Sequence, residues 1–279
     1  MLKIVRTISN LRKQILHLRD EGLSIGLVPT MGALHLGHMA LVSESLKTCD
    51  RTIVTLFINP MQFGNGEDFD VYPRDEQKDV TKLESIGAHL LYIPNIEEMY
   101  PNGFSTCVKV DGLCDSLEGV YRPGFFDGVA NIVIKLINQT SADIAFFGEK
   151  DYQQLLIIKR MAQDLDIETI IQSVKTVRED NGLAMSSRNI YLNKAEHQTA
   201  AILYKTLKVV AKRVRQGADI TALETWGQQE LLKAGFSYVD YFSVLDAETL
   251  LPRIDSNRDM RVLAAAKLGR TRLIDNVSA

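Results

Sequence analysis

Apolar runs and amphipathic segments alternate through roughly the first 175 residues of the chain, and this alternation predicts its fold. Short apolar runs indicate strands, and apolar residues that recur every three to four positions indicate helices. The predicted strands are 24–28, 52–58, 89–93, 142–147 and 168–174, and the predicted helices are 11–19, 39–46, 74–86, 129–137 and 152–164. This order predicts an α/β fold in which a parallel sheet carries helices on both faces.

The pattern changes after residue 177. Two long amphipathic segments, 194–215 and 221–234, predict helices, and β-rich stretches follow at 238–245, 260–266 and 271–274. We therefore expect a first domain over residues 1–177 and a smaller α+β domain over residues 178–279. Neither an internal repeat nor a low-complexity linker is recognisable in the sequence.

Composition narrows the class of protein. The 279 residues are 46% hydrophobic and 24% charged, as expected of a globular protein with a real core. A net charge of −3 and a pI near 6.0 provide no basic field, which disfavours nucleic acid as a partner. The cysteines, Cys49, Cys107 and Cys114, show no short paired spacing, which disfavours a disulfide framework or a structural zinc site.

Targeting signals are also missing from the sequence pattern. The first six residues lack the apolar core of a signal peptide, and no apolar run approaches the ~18–20 residues that a membrane span requires. We expect a cytoplasmic protein with no membrane partner.

The stretch Pro29–His38 reads PTMGALHLGH and lies between a predicted strand and a predicted helix. A helix N-terminus offers unpaired N–H groups and partial positive charge, both of which favour phosphate. His35 and His38 are three residues apart, on one face of the first turn, and Gly37 leaves room for a flat ring. This pattern predicts a site for ATP. The alternative for such histidines is a capping or surface role.

Polar clusters follow two further strands. Residues 59–63 (NPMQF) follow the second strand, and residues 148–151 (GEKD) follow an almost wholly apolar one. Ligands of parallel sheets bind beyond the carboxyl ends of the strands, so we expect these clusters to converge on one crevice. Lys150 could neutralise phosphate, and Asp151 could accept from a ribose hydroxyl or hold a metal. A solvated surface turn is the alternative.

A polar loop, Met185–Arg188 (MSSR), follows the turn signal Asn181-Gly182. Its hydroxyls and guanidinium could bind phosphates as a mobile flap at the domain junction, or the loop could be an N-cap region with an exposed Arg. Gln62 and Gln154 suit the orientation of a small hydroxy acid better than acid–base work, although each alone resembles a surface glutamine. Arg122, in a glycine-punctuated turn, faces either the phosphates or the site of a neighbouring subunit.

Taken in order, these segments resemble the pantoate–β-alanine ligase family over nearly the whole chain. The resemblance rests on the ordered strings PTMGALHLGH, FINPMQF, YPRD, RPGFFDGV, FGEKDYQQL, TVREDNGLAMSSRN and the terminal TRLIDN. It implies a Rossmann-like nucleotidyltransferase domain, a smaller C-terminal lid domain and a homodimer. It also implies ATP-dependent condensation of (R)-pantoate with β-alanine through pantoyl adenylate, with Mg²⁺, in the biosynthesis of pantothenate, the precursor of coenzyme A.

The resemblance also implies roles for individual residues. His38 is the principal catalytic histidine, and His35, Lys150 and Arg188 act beside it on phosphate oxygens. The implied ATP site comprises Met31, Gly32, Ala33, Leu34, His35, Leu36, Gly37, His38, Gly148, Glu149, Lys150, Asp151, Val177, Met185, Ser186, Ser187 and Arg188. Asn59, Gln62 and Gln154 border the pocket for pantoate and β-alanine. Protein ligands of Mg²⁺ stay unassigned, with Asp75 as a possible outer contact. Phe125 departs from the family, which commonly has His after Arg-Pro-Gly.

Two other functions compete with the ligase. Another nucleotidylyltransferase could share the histidine site, and a product that retains AMP would favour it. A non-catalytic nucleotide-binding descendant is the second, and ATP binding without turnover would favour that reading. The presence of both histidines, Lys150 and Arg188 disfavours such decay.

Overall fold

The computed structural model describes residues 2–64, 66–252 and 259–279 of the chain. Its strands are β1 (Lys3–Val5), β2 (Ile25–Thr30), β3 (Arg51–Leu56), β4 (Leu90–Tyr92), β5 (Ile144–Gly148), β6 (Ile170–Val174), β7 (Tyr238–Asp246), β8 (Met260–Leu268) and β9 (Thr271–Ser278). Its α-helices are α1 (Ile8–Asp20), α2 (Leu36–Thr48), α3 (Glu76–Ile86), α4 (Ile96–Met99), α5 (Glu118–Tyr121), α6 (Phe125–Thr140), α7 (Tyr152–Asp164), α8 (Lys194–Arg215) and α9 (Ile220–Ala234). None of the described helices is both long and apolar enough to cross a membrane.

The chain forms two compact units. Unit 1 comprises Met1–Glu149 and Gln154–Lys175, and unit 2 comprises Lys150–Gln153 and Thr176–Ala279. The short Lys150–Gln153 stretch thus interrupts unit 1 and packs with the C-terminal part of the chain.

Unit 1 contains the predicted parallel sheet, with helices on both sides. The strand order is β1-β4-β3-β2-β5-β6, and all paired strands run parallel. The central strands are buried on both faces, as the apolar runs indicated: Val28 and Val54 on one face and Leu27 and Ile53 on the other are all fully buried. The chain runs from β2 outward through β3 to β4, whereas β5 lies on the other side of β2. The topological switch point therefore lies between β2 and β5, where ligands of such folds bind.

Pro29 shapes this switch point. The backbone N–H and C=O groups of the odd-numbered residues of β2 point toward β5, because the Ile25 carbonyl accepts from the Asp143 N–H. Those of the even-numbered residues point toward β3, because the Thr30 carbonyl accepts from the N–H of Phe57, which follows β3. Pro29 has no N–H to donate toward β5. Pairing with β5 stops at Leu27, while pairing with β3 continues to Thr30. Strands β2 and β5 are consequently no longer paired at their carboxyl ends.

Unit 2 contains the antiparallel sheet β7-β8-β9 and the two long helices. Helix α8 begins at a capping box in which the Asn193 side chain accepts from two backbone N–H groups and Glu196 accepts from the Asn193 N–H. Helix α9 ends at Gly235 in the left-handed conformation. Gly227 lets α9 approach the sheet, since a Cβ there would lie 2.6 Å from the Phe242 ring.

The structure differs from the sequence-based expectation at several element ends. β1 has only three residues and a single neighbour, β4, so its pattern is too short to recognise. Helix α6 begins at Phe125 rather than at residue 129, because Gly124 takes a left-handed conformation and turns the chain directly into the helix. Strand β9 continues four residues beyond its predicted end. The prediction stopped at residue 274 because the polar pair Asp275-Asn276 interrupts the apolar pattern of the strand.

Candidate functional site

The turn between β2 and α2 carries the two histidines. The Thr30 hydroxyl donates to the Thr55 carbonyl at 2.7 Å and accepts from the Gly32 N–H at 3.2 Å. Gly32 and Ala33 then take φ values of 86° and 50°, in the left-handed region. This turn brings the chain round so that α2 begins at Leu36, with its N-terminus at the carboxyl edge of the sheet.

His35 and His38 lie against each other, with ring centroids 4.0 Å apart. The His35 Nδ1 accepts from the Gly37 N–H at 3.1 Å, and the His38 Nδ1 accepts from the His35 N–H at 3.3 Å. His35 is thus the N-cap of α2, and capping fixes the orientation of its ring. Because each Nδ1 is an acceptor, each neutral ring carries its proton on Nε2. Two N–H donors at a helix N-terminus suit phosphate oxygens.

Asp79 and Lys82 of α3 hold this turn, and sequence reasoning missed both. The buried Asp79 carboxylate accepts from the Leu34 N–H at 2.8 Å, and Lys82 donates to the Leu34 carbonyl. Burial raises the pKa of Asp79, and the hydrogen bond from Leu34 opposes that shift. A signal was present in the sequence: Asp79 lies four residues before Leu83, on the apolar face of the helix.

Residues 59–62 form a turn after β3 that we call the small-substrate turn. Asn59 is fully buried, and its Nδ2 donates to Gln62 Oε1 at 3.1 Å and to the Gly128 carbonyl at 3.0 Å. Its Oδ1 accepts from the Tyr100 hydroxyl at 2.8 Å and from the Met61 N–H at 3.2 Å. The Asn59 amide is therefore fully used within the protein. Because Asn59 donates to the oxygen of the Gln62 side chain, it orients that side chain with its Nε2 donor pointing the other way.

Gly128 is the residue that allows α6 to approach this turn. A Cβ at position 128 would lie 2.1 Å from the Met61 carbonyl oxygen and 3.0 Å from the Gln62 nitrogen. Only a glycine permits this contact, and the contact places the Gly128 carbonyl within reach of Asn59. Gly128 lies directly before the predicted helix 129–137, so nothing in the sequence pattern marked it as a packing contact.

Arg122 binds within its own unit. Its guanidinium donates to both carboxylate oxygens of Glu67 and, at 3.0 Å, to the Gln62 carbonyl. It also lies over the Phe125 ring at 3.7 Å. Arg122 thus ties the small-substrate turn to the start of α6, and Phe125 supplies an aromatic face for it.

The Gly148–Asp151 segment starts where β5 ends. Gly148 closes the strand, and Glu149–Asp151 form a single 3-10 turn that leads into α7. Lys150 Nζ lies 3.3 Å from Asp151 Oδ1, and the lysine side chain is only 20% exposed. Its partner Asp151 is 45% exposed, so the pair lies at the surface with the lysine as its more buried member. Gln154 follows in the first turn of α7, half-buried and within unit 1.

Residues 177–185 of unit 2 form a hairpin, which we call the 177–185 hairpin. Arg178 and Ala184 make an antiparallel bridge, and the Met185 N–H donates to the Val177 carbonyl at 2.9 Å. The hairpin leads into a 3-10 helix, Ser187–Tyr191. Ser186 caps that helix by accepting from the Arg188 N–H at 3.3 Å, and Arg188 is half-buried. The loop is thus an N-cap, as the alternative interpretation held, but its Arg is not fully exposed.

The predicted residues divide between the two units. Strands β3, β2 and β5 are neighbours in the sheet, so the histidine turn, the small-substrate turn and Gly148 follow strand ends at one edge of unit 1. The residues of unit 2 are Lys150, Asp151, Val177, Met185, Ser186, Ser187 and Arg188.

Among the residues that the structure describes, no group of three or more His, Cys, Asp or Glu side chains is arranged to hold a metal ion. Asp75 caps α3 by accepting from the Lys78 N–H at 3.1 Å and pairs with the Lys78 ammonium, so its carboxylate has a structural role. Mg²⁺ commonly keeps its waters and binds through substrate phosphates.

A parallel α/β sheet with a helix N-terminus and two oriented histidines at its switch point defines a nucleotide-binding α/β enzyme. Comparison with known proteins specifies which one. The family model described as pantoate-beta-alanine ligase matches residues 3–278. The chain belongs to this family, and it is an AMP-forming ligase that joins pantoate to β-alanine.

Individual relatives agree with that assignment. The chain is 52% identical over 274 residues to a pantothenate synthetase of Paramagnetospirillum magneticum, covering 98% of this chain and 96% of that protein. A solved pantothenate synthetase of Thermus thermophilus superposes with a TM-score of 0.91 at 40% identity, covering 99% and 98% of the two chains. A Francisella tularensis pantoate-beta-alanine ligase, solved in complex with beta-gamma ATP and beta-alanine, matches with a TM-score of 0.82 at 31% identity, covering 99% and 97%.

Proposed function

We propose that the protein makes pantothenate in two steps on the residues described above. In the first step the (R)-pantoate carboxylate attacks the α-phosphorus of ATP, and pyrophosphate leaves. In the second step the β-alanine amine attacks the acyl carbon of pantoyl adenylate, and AMP leaves. The observation that carries this proposal is the pair of histidines, His35 and His38, whose Nε2 atoms are donors at the N-terminus of α2. The adjacent strand β3 ends at the small-substrate turn, where Asn59 orients the Gln62 amide.

Charge is the main obstacle to the first step, because a carboxylate must approach a polyanion. His38 and His35 donate from Nε2 to phosphate oxygens, and the stretch from Met31 to His38 lines the nucleotide site. Lys150 and Arg188 supply positive charge to the departing pyrophosphate. Preorganised donors of this kind each contribute about 10²–10³ in rate. A magnesium ion that arrives with ATP would neutralise further charge.

The small-substrate turn recognises pantoate. The Gln62 amide donates through Nε2, because Asn59 occupies its oxygen. Gln154 contacts the substrate from the first turn of α7. Neutral amides suit hydroxyl and carboxylate groups without competing for the reactive phosphates. Asn59, which is fully buried, acts by positioning Gln62.

Residues 178–279 are proposed to act as a lid for the domain of residues 1–177. An acyl adenylate is hydrolysed readily, so the second step requires a site that excludes water. We also propose a homodimer, which the family resemblance supports, and a cytoplasmic location, which agrees with three free thiols at Cys49, Cys107 and Cys114.

The experiment that tests the function is ATP–pyrophosphate exchange that depends on pantoate. We expect labelled pyrophosphate to enter ATP when pantoate is present and β-alanine is absent, and release of AMP only when β-alanine is added. A well-folded protein that shows no pantoate-dependent exchange would exclude the proposed chemistry. A product that retains AMP would instead favour another nucleotidylyltransferase.

The role of His38 is tested by His38→Ala. We expect the rate of adenylate formation to fall about 10²–10³-fold, because one preorganised donor to the transition state is lost. The affinity for ATP, measured by calorimetry, should change much less. Comparable losses in rate and affinity would make His38 an anchor for ATP rather than a stabiliser of the transition state.

A further inference from the structure

The terminal TRLIDN string contributes to the family resemblance, yet the proposed function uses none of its residues. It forms most of strand β9, the last strand of unit 2. Its final two residues, Asp275 and Asn276, are both polar and both buried, at 4% exposure each. Buried polar groups in a strand require partners, and their partners identify what they do.

Asp275 holds the 177–185 hairpin. Its carboxylate accepts from Arg178 Nη1 at 2.6 Å and from Arg178 Nη2 at 2.9 Å. The same guanidinium donates to the Gly182 carbonyl at 3.1 Å and lies over the Tyr204 ring at 3.7 Å. Arg178 is the residue next to Val177. The ion pair thus fixes the hairpin at the position assigned to the nucleotide.

Asn276 holds the Lys150 segment. Consecutive residues of a strand point to opposite faces of a sheet, so Asn276 reaches a different part of unit 2 from Asp275. Its Nδ2 donates to the Lys150 carbonyl at 2.9 Å, and its Oδ1 accepts from Arg261 Nε at 2.7 Å. Arg261 in turn lies over the Tyr152 ring at 3.9 Å. Asn276 therefore holds Lys150 directly, and its partner Arg261 contacts Tyr152.

Stability alone does not explain a buried ion pair at this place. Replacement of such a pair by apolar residues of similar volume is often neutral or stabilising, because desolvation offsets the attraction. What the pair and the amide provide is a defined position: two neighbouring residues of one strand each hold one of the two segments that carry the proposed ATP contacts of unit 2.

We propose that Asp275 and Asn276 are positioning residues for adenylate formation, which set the Val177–Met185 hairpin and the Lys150 backbone relative to each other. This inference rests on the proposed function, because it assumes that Lys150 and the hairpin contact ATP. It assigns to the terminal motif a role in the chemistry that goes beyond completing the small sheet.

The test is a double-mutant cycle between Asn276→Asp and Lys150→Ala. Asn276→Asp keeps the acceptor for Arg261 but replaces the donor to the Lys150 carbonyl by an oxygen. We expect it to lower the rate of pantoate-dependent pyrophosphate exchange about tenfold in the wild-type background and less than about twofold in Lys150→Ala. Equal effects in both backgrounds, or no effect in either, would overturn the inference. Calorimetric ATP affinities complete the same cycle if turnover of Lys150→Ala is too slow to measure.

A matched control separates positioning from stability. Asp240 of β7 accepts from Arg272 Nε at 2.6 Å, and its side chain is 6% exposed, so it forms a comparable ion pair in the same sheet. Asp240→Asn and Asp275→Asn should lower stability alike, but only Asp275→Asn should slow exchange about tenfold at a temperature where both are folded. Equal slowing by both would overturn the positioning role. Asn276→Asp carries the test alone if Asp275→Asn does not fold.

Failure of the proposed function would look different. If Lys150→Ala exchanges pyrophosphate as fast as the wild type, Lys150 has no role with ATP, and the premise fails whatever Asn276→Asp does. If Lys150→Ala is slow but the cycle shows no coupling, the premise stands and only the positioning role is rejected.

Discussion

The small-substrate turn of unit 1 and the 177–185 hairpin of unit 2 are both held by buried polar side chains, but by different chemistry. Asn59 uses four neutral hydrogen bonds, to Gln62, Gly128, Tyr100 and Met61. The hairpin depends on a buried ion pair, Arg178–Asp275, and on stacking of the guanidinium over an aromatic ring.

The difference matches what each segment is proposed to bind. A neutral, fully satisfied network can orient an amide toward a small substrate without placing extra charge beside the reacting carboxylate. Phosphates instead arrive with high negative charge, and a segment that must keep its position beside them benefits from a bidentate pair whose geometry is strict. We therefore expect the two regions to respond differently to substitution.

The largest effect is expected from Arg178→Met. The substitution keeps most of the aliphatic stem but removes the guanidinium, which leaves the Asp275 carboxylate buried without its cation. We expect a loss of about 3–5 kcal/mol in the free energy of unfolding, measured with denaturant. Lys233→Met, which removes a far more exposed ion pair with Glu230, should cost less than about 1 kcal/mol. Equal costs would show that the hairpin pair contributes no more than a surface pair.

Gly128→Ala tests the small-substrate turn by adding a methyl group where α6 packs against it. Alanine is normally the better helix former, so the substitution should stabilise α6 unless the close approach to Met61 matters. We expect a net loss of about 1–3 kcal/mol from overpacking and a higher KM for pantoate. The control is Gly64→Ala, whose Cβ would contact only Glu67, at 3.8 Å or more, and should leave both quantities nearly unchanged. An unchanged KM for pantoate in Gly128→Ala would argue against the proposed pocket.

A smaller effect is expected from Tyr100→Phe. Burial raises the pKa of Tyr100 to about 12, partly opposed by its hydrogen bond to Asn59, so the hydroxyl is a neutral donor at physiological pH. Its removal takes one of two donors from Asn59 Oδ1 and should cost about 1 kcal/mol of stability. The KM for pantoate should rise several-fold while the affinity for ATP stays constant. Tyr238→Phe, at an exposed position, is the control, and a shift confined to ATP affinity would contradict the assignment.

The smallest expected effect is the loss of stability at low pH that comes from Asp143. Burial raises the pKa of Asp143, but hydrogen bonds from Arg19 and from the Ile25 N–H at the start of β2 outweigh it, and the pKa is lowered from 3.8. A lowered pKa means that the stabilisation is complete above the unfolded value and is lost as the pH falls through the folded value. The advantage of the wild type over Asp143→Asn should be under about 1 kcal/mol at pH 7 and should shrink below pH about 4. A difference that stays constant with pH would refute this linkage.

Sequence patterns predicted the succession of elements well where periodicity was long. The bounds of α7 and α8 agree with their predicted ranges, since many apolar positions specify each and a capping box fixes the start of α8. The parallel sheet with helices on both sides is confirmed. The short β1 was missed, because three residues carry no period and only the pairing with β4 makes them a strand.

The candidate site was predictable only as a set of segments. His35, His38, Gln62 and Lys150 stand out because their motifs follow strand ends. Asp79, Gly128 and Tyr100 do not, since each acts on a residue more than thirty positions away, through a hydrogen bond or a close contact that exists only after folding.

The sequence by itself determined the local structure, the motifs and, through their order, the family: all of these depend on residues that are near neighbours in the chain. Tertiary structure decided how those motifs are held in place. It committed Arg122 to Glu67, fixed the Leu34 turn on Asp79, and bound Asn59 to Gly128 and Tyr100. Such choices are made by long-range partners, because a polar group that is buried takes whichever acceptor or donor the fold brings to it.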